Sequence, residues 1–264
     1  MKKIFFFLGF ILSVFILSSC DKDKNEEDDK EKHIPVFNNK KLLVYCSENE
    51  SGLYGRKYEY DSYGRLIKVY KNGEITQEYN YDYDKLSFNI TNSKERIGGS
   101  LTTTGFIEQK SYRPSEDRYY SYSYDEDWHL KSETLFNYKE DECVENVWTW
   151  VNDNVVTLTM RYYTLDFYGN KKFKFDSNSA FKYTNDSVPT PIENKAGIPF
   201  LYYSLEEIEP IIAIKNLLGV STKNLPVSFI NSSGKEYRID WTLDNEGYPI
   251  RVDFNKKSLY FTWN

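Results

Sequence analysis

The chain has 264 residues and a net charge of −6, with a pI near 5.2. Without a cluster of Lys and Arg, that balance argues against nucleic acid as a partner, because phosphate binding needs concentrated positive charge. Aromatic residues make up 17%, with 24 Tyr and 17 Phe. That composition suits half-buried strands and also recognition surfaces.

The N-terminus reads as an address. Lys2 and Lys3 precede the apolar run Ile4 to Leu17, which is shorter than the ~20 residues a spanning helix needs. The layout is that of a secretory signal. It ends in Leu17-Ser18-Ser19-Cys20, which resembles the bacterial lipobox at every position. The resemblance implies a signal peptide over residues 1–19 and lipidation of Cys20, whose thiol takes the diacylglycerol and holds the chain on a membrane. The stretch Asp21 to Lys32 has no apolar residue. It cannot offset chain ordering by burial, so residues 20–36 are expected to be the acylated cysteine and an acidic disordered tether. An acidic stretch just after an acylated cysteine resembles the surface-export signal of Bacteroidetes lipoproteins. It implies an outer-membrane protein facing the cell exterior.

Residues 37–264 are expected to form a single β-rich domain, since roughly 230 residues suffice for one sizeable core. Lys57 to Asp61 places Tyr58 and Tyr60 on one face. Arg65 to Lys71 runs into Asn72-Gly73, a tight-hairpin signal because both residues tolerate positive φ. Glu74 to Tyr81 returns, and Lys85 to Thr91 follows. In Asn154 to Tyr162, Val156, Leu158, Met160 and Tyr162 are expected on one face, with Val155, Thr157, Thr159 and Arg161 on the other. Tyr237, Ile239, Trp241 and Leu243 alternate with charged and polar residues; Ile250, Val252 and Phe254 follow, and Leu259, Phe261 and Trp263 close the chain. Period-two patterning with short connections predicts an antiparallel up-and-down meander. Closing it into a barrel would remove the exposed edges. One segment differs. Ser204 and Glu207 form a capping box, Leu205 to Leu218 has helical spacing, and Gly219 is a C-terminal cap. One or two short helices near 204–219 are predicted, capping one end of the sheet. Val188 to Pro199 reads as a loop.

A hairpin motif recurs. Tyr58-Glu59-Tyr60-Asp61-Ser62-Tyr63-Gly64-Arg65-Leu66 is its fullest copy, and Tyr122 to Leu130 repeats it with Trp128 in place of the glycine. Tyr79 to Asp82 and Trp241 to Gly247 are partial copies. Alternate aromatics share a face, Asp caps the turn, and Gly takes the left-handed position. The best copy resembles the YD repeat of bacterial Rhs shell proteins. Gly219 to Pro226, followed by Leu243 to Ile250, resembles the end of a Bacteroidetes lipoprotein family of unknown function with a porin-like fold. That resemblance implies a barrel-like architecture in an anchored protein and carries no activity or site residues. A spanning barrel would turn apolar residues outward; here the apolar face suffices as a core, and a tethered soluble domain is expected.

Chemistry-bearing residues are sparse. The two histidines, His33 and His129, have no nucleophile or second ligand at a motif spacing. Asp125-Glu126-Asp127 lacks the spacing of a calcium loop and reads as a solvated turn. Asp186-Ser187-Val188 resembles the O-glycosylation sequence of Bacteroidetes exported proteins. Cys46 and Cys143 stand where a disulfide would persist, and geometry decides whether they pair. No catalytic, metal or cofactor residue is assigned and no cofactor is expected. The favoured reading is a non-catalytic binding module for a glycan, lipid or protein ligand. The alternatives are a structural envelope protein or a carboxylate-dependent hydrolase. Exposed aromatics on a concave face would favour binding. Two facing carboxylates, one with a raised pKa, would favour the hydrolase.

Overall fold

The structure is a computed structural model and describes residues 41–52, 55–92, 96–113, 117–199 and 214–264. The chain divides into two units at Lys32, and the described residues all lie in the second. Strand follows strand: β1 (Leu43–Ser47), β2 (Arg56–Tyr60), β3 (Leu66–Lys71), β4 (Glu74–Asp82), β5 (Ser87–Asn92) and β6 (Arg96–Leu101). Next come β7 (Ile107–Arg113), β8 (Arg118–Tyr124), β9 (Leu130–Asn137), β10 (Glu142–Val151), β11 (Asn154–Leu165) and β12 (Lys171–Lys182). The short β13 (Ile192–Glu193) and β14 (Asn224–Leu225) pair with each other in a separate two-stranded sheet. The chain finishes with β15 (Ser228–Ile230), β16 (Glu236–Leu243), β17 (Pro249–Phe254) and β18 (Lys257–Trp263). Sixteen strands close into one antiparallel barrel in which each pairs with the next barrel strand along the chain, β12 with β15 across the β13–β14 crossover, and β18 returns to β1. This is the closed meander expected from the patterning.

The barrel wears its apolar face inside. Tyr58, Phe88, Tyr122, Leu130, Trp148, Leu158, Phe181, Val252 and Phe261 belong to one buried cluster. The opposite face of the same strands carries ion pairs along the wall: Lys57–Glu59, Lys68–Glu78, Arg161–Glu145, Lys182–Glu236, Arg238–Asp240 and Arg251–Asp253.

Alternate hairpin ends gather at two rims. One rim holds the start of β1 and the end of β18, where Leu42 and Asn264 exchange hydrogen bonds. There every descending strand except β6 ends in an aromatic that donates to a backbone carbonyl at the start of the ascending strand beside it. Tyr60 reaches Leu43, Tyr81 reaches Leu66 and Tyr124 reaches Ile107, at 2.7–2.8 Å. Trp150 reaches Leu130, Tyr183 reaches Val155, Trp241 reaches Pro226 and Trp263 reaches Pro249. Each latch joins neighbouring strands beyond their ladder and contributes about 1 kcal/mol.

The turns between latches follow the Asp-x-x-Gly pattern. Asp61 Oδ1 accepts from the amides of Tyr63 and Arg65, and Asp244 Oδ1 from those of Glu246 and Tyr248. Asp125 does the same for Asp127 and His129, so the acidic triplet is a capped turn. Trp128 takes φ 65° where the other copies place glycine, and packs on Phe106 and Tyr124. The residue after each turn covers the next latch: Arg65 lies over Tyr81 and Tyr83, Phe106 on Tyr124, His129 on Trp150 and Tyr248 on Trp263.

The strand pair β5–β6 departs from this scheme. β6 has Gly99 and Leu101 where other copies have aromatics, and Phe88 from β5 fills the space. A Cβ on Gly99 would stand 2.4 Å from the Phe88 ring and 2.2 Å from the Gln109 carbonyl. Here a backbone bond from Leu101 to Leu86 replaces the latch.

The crossover from β12 to β15 closes this rim. Ala196, Ile198, Leu217, Leu218 and Leu225 are buried, and Asn194 ties the segment through Ile198 and Thr222. Asn216 donates to the Gly64 carbonyl, Val220 to that of Trp128, and Lys195 to that of Glu246. The predicted helices fall mostly outside the described residues; within them the segment shows a single 3₁₀ turn, Lys215–Leu217. Gly219 takes the left-handed conformation expected of a cap. In the predicted loop before it, Ile192 and Glu193 form β13.

One expectation on β11 is corrected. Trp150 pairs with Val155 and Thr149 with Thr157, so a bulge at Val156 turns Val155 inward beside Leu158, and both are fully buried. The extra residue breaks strict alternation. Cys46 and Cys143 are both buried and form no disulfide with each other. Cys46 pairs in register with Phe261 and Cys143 with Phe136 and Tyr163, on strands far apart around the barrel. His33 lies outside the described residues.

Candidate functional site

The opposite rim is built differently. On the inward faces of β10, β11 and β12, burial falls steadily toward it. Trp148, Leu158 and Ser179 share one register row and are 3%, 0% and 7% exposed. The next row is Tyr122, Glu133, Asn146, Met160 and Ser177, of which Met160 and Ser177 are half-buried. The outermost row is Tyr120, Leu135, Val144, Tyr162 and Phe175, and Phe175 is exposed. The barrel therefore opens into a mouth at this rim. Tyr162 and Phe175 stack at 4.4 Å on one wall, and Tyr112 and Tyr120 lie 5.9 Å apart on another.

The floor of the mouth is polar. Asn146 Nδ2 donates to Glu133 Oε2 at 3.1 Å, and both residues are buried. Asn146 Oδ1 has no hydrogen-bond partner among the described residues and is itself sealed from solvent. Lys110 pairs in register with Tyr120, and its Nζ lies 4.1 Å from the Tyr120 ring centroid. Burial pushes the Lys110 ammonium below its ordinary pKa, and the Glu133 charge pulls the other way.

β11 and β12 are twelve residues each; β11 stays paired with β10 out to Glu142–Thr164, while β12 runs well beyond its pairing with β15. β12 meets β15 only at Ala180–Lys182, so its preceding residues form a free edge among the described residues. Lys171, Lys172, Lys174 and a register shift opposite Tyr162–Tyr163 blunt that edge against strand addition. Phe167 and Tyr168 stand at the tip, 97% and 85% exposed. The outer face carries a row in register: Tyr119, Phe136, Cys143, Tyr163 and Phe173. Lys171 lies over Phe136 and Tyr163. Burial pushes the Cys143 thiol up, with Lys171 opposing, so the thiol is packing material and not a thiolate.

Sequence reasoning did not find this rim. Its inward polar residues sit singly on separate strands, and only the register brings them together. His129, which the sequence left without a partner, belongs to the closed rim, where Nδ1 lies 3.1 Å from Asp125 Oδ2. Asp186 and Ser187 are exposed in the crossover.

No family model matches the chain, and no curated protein is similar enough to match. A porin-like protein from Bacteroides uniformis has a similar fold: TM-score 0.60 and 17% identity over 86% of this chain and 99% of that one. A porin-like protein from Bacteroides vulgatus aligns over 85% of this chain and 99% of its own, with TM-score 0.44 and 15% identity. The barrel fold of this chain is thus one already seen in Bacteroides.

Proposed function

We propose that this chain is a lipid-anchored outer-membrane protein whose barrel does not span the membrane and binds a ligand, without catalysis, at its open rim. The observation that carries the reading is the contrast across the barrel. Tyr138, Phe167, Tyr168, Phe173 and Phe175, all more than half exposed, gather around the β11–β12 hairpin. Apolar surface left in water at one place marks a contact site. A spanning barrel needs an apolar outer band, whereas this wall carries ion pairs at Lys57–Glu59, Arg238–Asp240 and Arg251–Asp253. The carboxylates with clear pKa shifts support a non-catalytic reading. Asp244 is lowered by the Tyr248 amide, Asp166 by Asn170 and Glu236 by Ser228, the opposite of a general acid.

A screen of the barrel domain against a glycan array and a lipid panel tests the proposal. A specific hit is expected, at least tenfold weaker in Phe167→Ala/Phe175→Ala. Silence on both panels and an empty pull-down from the cell envelope would leave a structural role. Protease added to intact cells is expected to cut the protein; full protection would refute surface display.

A further inference from the structure

Two residues at the tip of the β11–β12 hairpin are not explained by the turn that holds them. Asp166 Oδ1 accepts from the amides of Tyr168 and Asn170, at 2.9 and 2.8 Å, and Gly169 takes φ 78°. The turns that begin at Asp125, Asn231 and Asp244 have the same Oδ1 bonds. Their two outermost positions carry Glu126-Asp127, Ser232-Ser233 and Asn245-Glu246. The turn therefore needs no apolar residue there, yet this one holds Phe167 and Tyr168 97% and 85% exposed. Because the Asp166 bonds fix the backbone, the two rings meet a partner at little further cost in ordering.

The outer face behind the tip continues aromatic. Tyr138 stacks on Phe136 at 6.0 Å, and Phe173 meets Tyr163 at 5.9 Å. One row further from the rim, Thr134, Glu145, Arg161 and Asp176 lie in register, and Arg161 pairs with Glu145. The aromatic surface ends at that charged row, which limits how deep the tip can enter anything. Three observations choose the partner. The Phe167 and Tyr168 rings stand at 84° to each other, so they offer a sugar ring no shared flat face. The charges at the two hairpin turns cancel: Lys139, Lys171, Lys172 and Lys174 are exposed, and so are Glu140, Asp141, Glu142 and Asp166. The tip therefore prefers neither an anionic nor a cationic partner. Finally, only the residues from Asp21 to Lys40 separate Cys20 from the described chain, a stretch that reaches up to about 70 Å. A twelve-residue strand such as β11 spans about 40 Å, so a bilayer holding the proposed anchor is within reach of this rim.

We propose that the β11–β12 tip is a lipid-contacting wedge: Phe167 and Tyr168 enter the headgroup region of a bilayer, and Tyr138 and Phe173 follow on the outer face. The wedge rests on the reading that the open rim makes the contact, and names its partner as a lipid surface of little net charge. A fluid interface accepts rings at any angle, and aromatic side chains settle at headgroup depth. Each wedge contact is weak alone, and the anchor at Cys20 raises its effective concentration. The tip lies outside the buried cluster, so lipid contact leaves the fold unchanged.

The test is co-sedimentation of the whole mature chain, with Cys20→Ser to prevent acylation, with vesicles of phosphatidylcholine and phosphatidylethanolamine at millimolar lipid. Binding is expected, changing less than threefold between 50 and 500 mM salt. Phe167→Ser/Tyr168→Ser gives the tip the residues of the Asn231 turn and is expected to reduce binding at least tenfold with an unchanged near-ultraviolet spectrum. Should that variant misfold, Phe167→Ser alone serves, with at least a threefold loss expected. Tyr63→Ser, at the matching turn position of the closed rim, is expected to change binding less than twofold. Absence of binding overturns the proposal, as does unchanged binding in the folded tip variant. Binding that requires added phosphatidylglycerol and vanishes at 500 mM salt overturns it too. If vesicles fail while a glycan-array hit is lost in Phe167→Ala/Phe175→Ala, the open-rim reading stands and the lipid partner alone is wrong.

Discussion

The two rims of this barrel are made from the same strands and solve opposite problems. At the closed rim, each of seven aromatic side chains satisfies a carbonyl on the neighbouring strand while lying against a buried cluster. At the open rim, aromatics of the same types stand in water. An aromatic with both a partner and a packed face stabilises the fold. One with neither is retained at a cost to solubility, which points to contact with something else.

Substitutions at the two rims should therefore differ widely. Trp148→Ala removes a side chain only 3% exposed and is expected to cost about 3–5 kcal/mol; chemical denaturation measures it, and a loss under 1 kcal/mol would mean the core is not packed there. Arg65→Met should act the other way. The guanidinium is 1% exposed and lies over the Tyr81 and Tyr83 rings, with no well-aligned hydrogen bond to its nitrogens among the described residues. An apolar replacement of similar length should stabilise by about 1 kcal/mol or more, and clear destabilisation would reveal a partner for the arginine.

The latches give the closed rim a pH signature. Burial raises the phenol pKa of Tyr60, Tyr81, Tyr124 and Tyr183. A raised folded-state pKa contributes stability below the unfolded value and loses it as pH climbs, so unfolding should become easier above about pH 10. Tyr81→Phe should cost about 1 kcal/mol at neutral pH and reduce the alkaline slope; an unchanged slope would contradict the latch. The smallest effect belongs to the open rim. Phe167→Ala/Tyr168→Ala should alter stability by under about 0.5 kcal/mol, and a larger loss would make the tip structural.

The sequence was legible where a rule acts locally. Asn72-Gly73 takes the two positive φ angles of a tight hairpin, and the Asp-x-x-Gly copies are the capped turns their residues predict. The aromatic repeat was visible in four copies but is more extensive in the structure. Trp148-x-Trp150 and Phe181-x-Tyr183 keep the spacing while losing the following turn. Strict alternation failed at Val156 because a bulge is set by the partner strand's register and not by the strand itself. The mouth was illegible for the same reason. Lys110, Glu133 and Asn146 sit on three strands, and nothing in any one of them signals the other two.

The account depends above all on the barrel keeping its apolar face inside and its charged face in water. Refolding the chain from His33 to Asn264 in detergent-free buffer tests this most directly, read by near-ultraviolet circular dichroism and sedimentation. The account predicts a soluble, discrete particle with a fixed aromatic signature and a cooperative melt that micelles do not alter. A chain that aggregates in buffer and gains its aromatic signature only in micelles would contradict it.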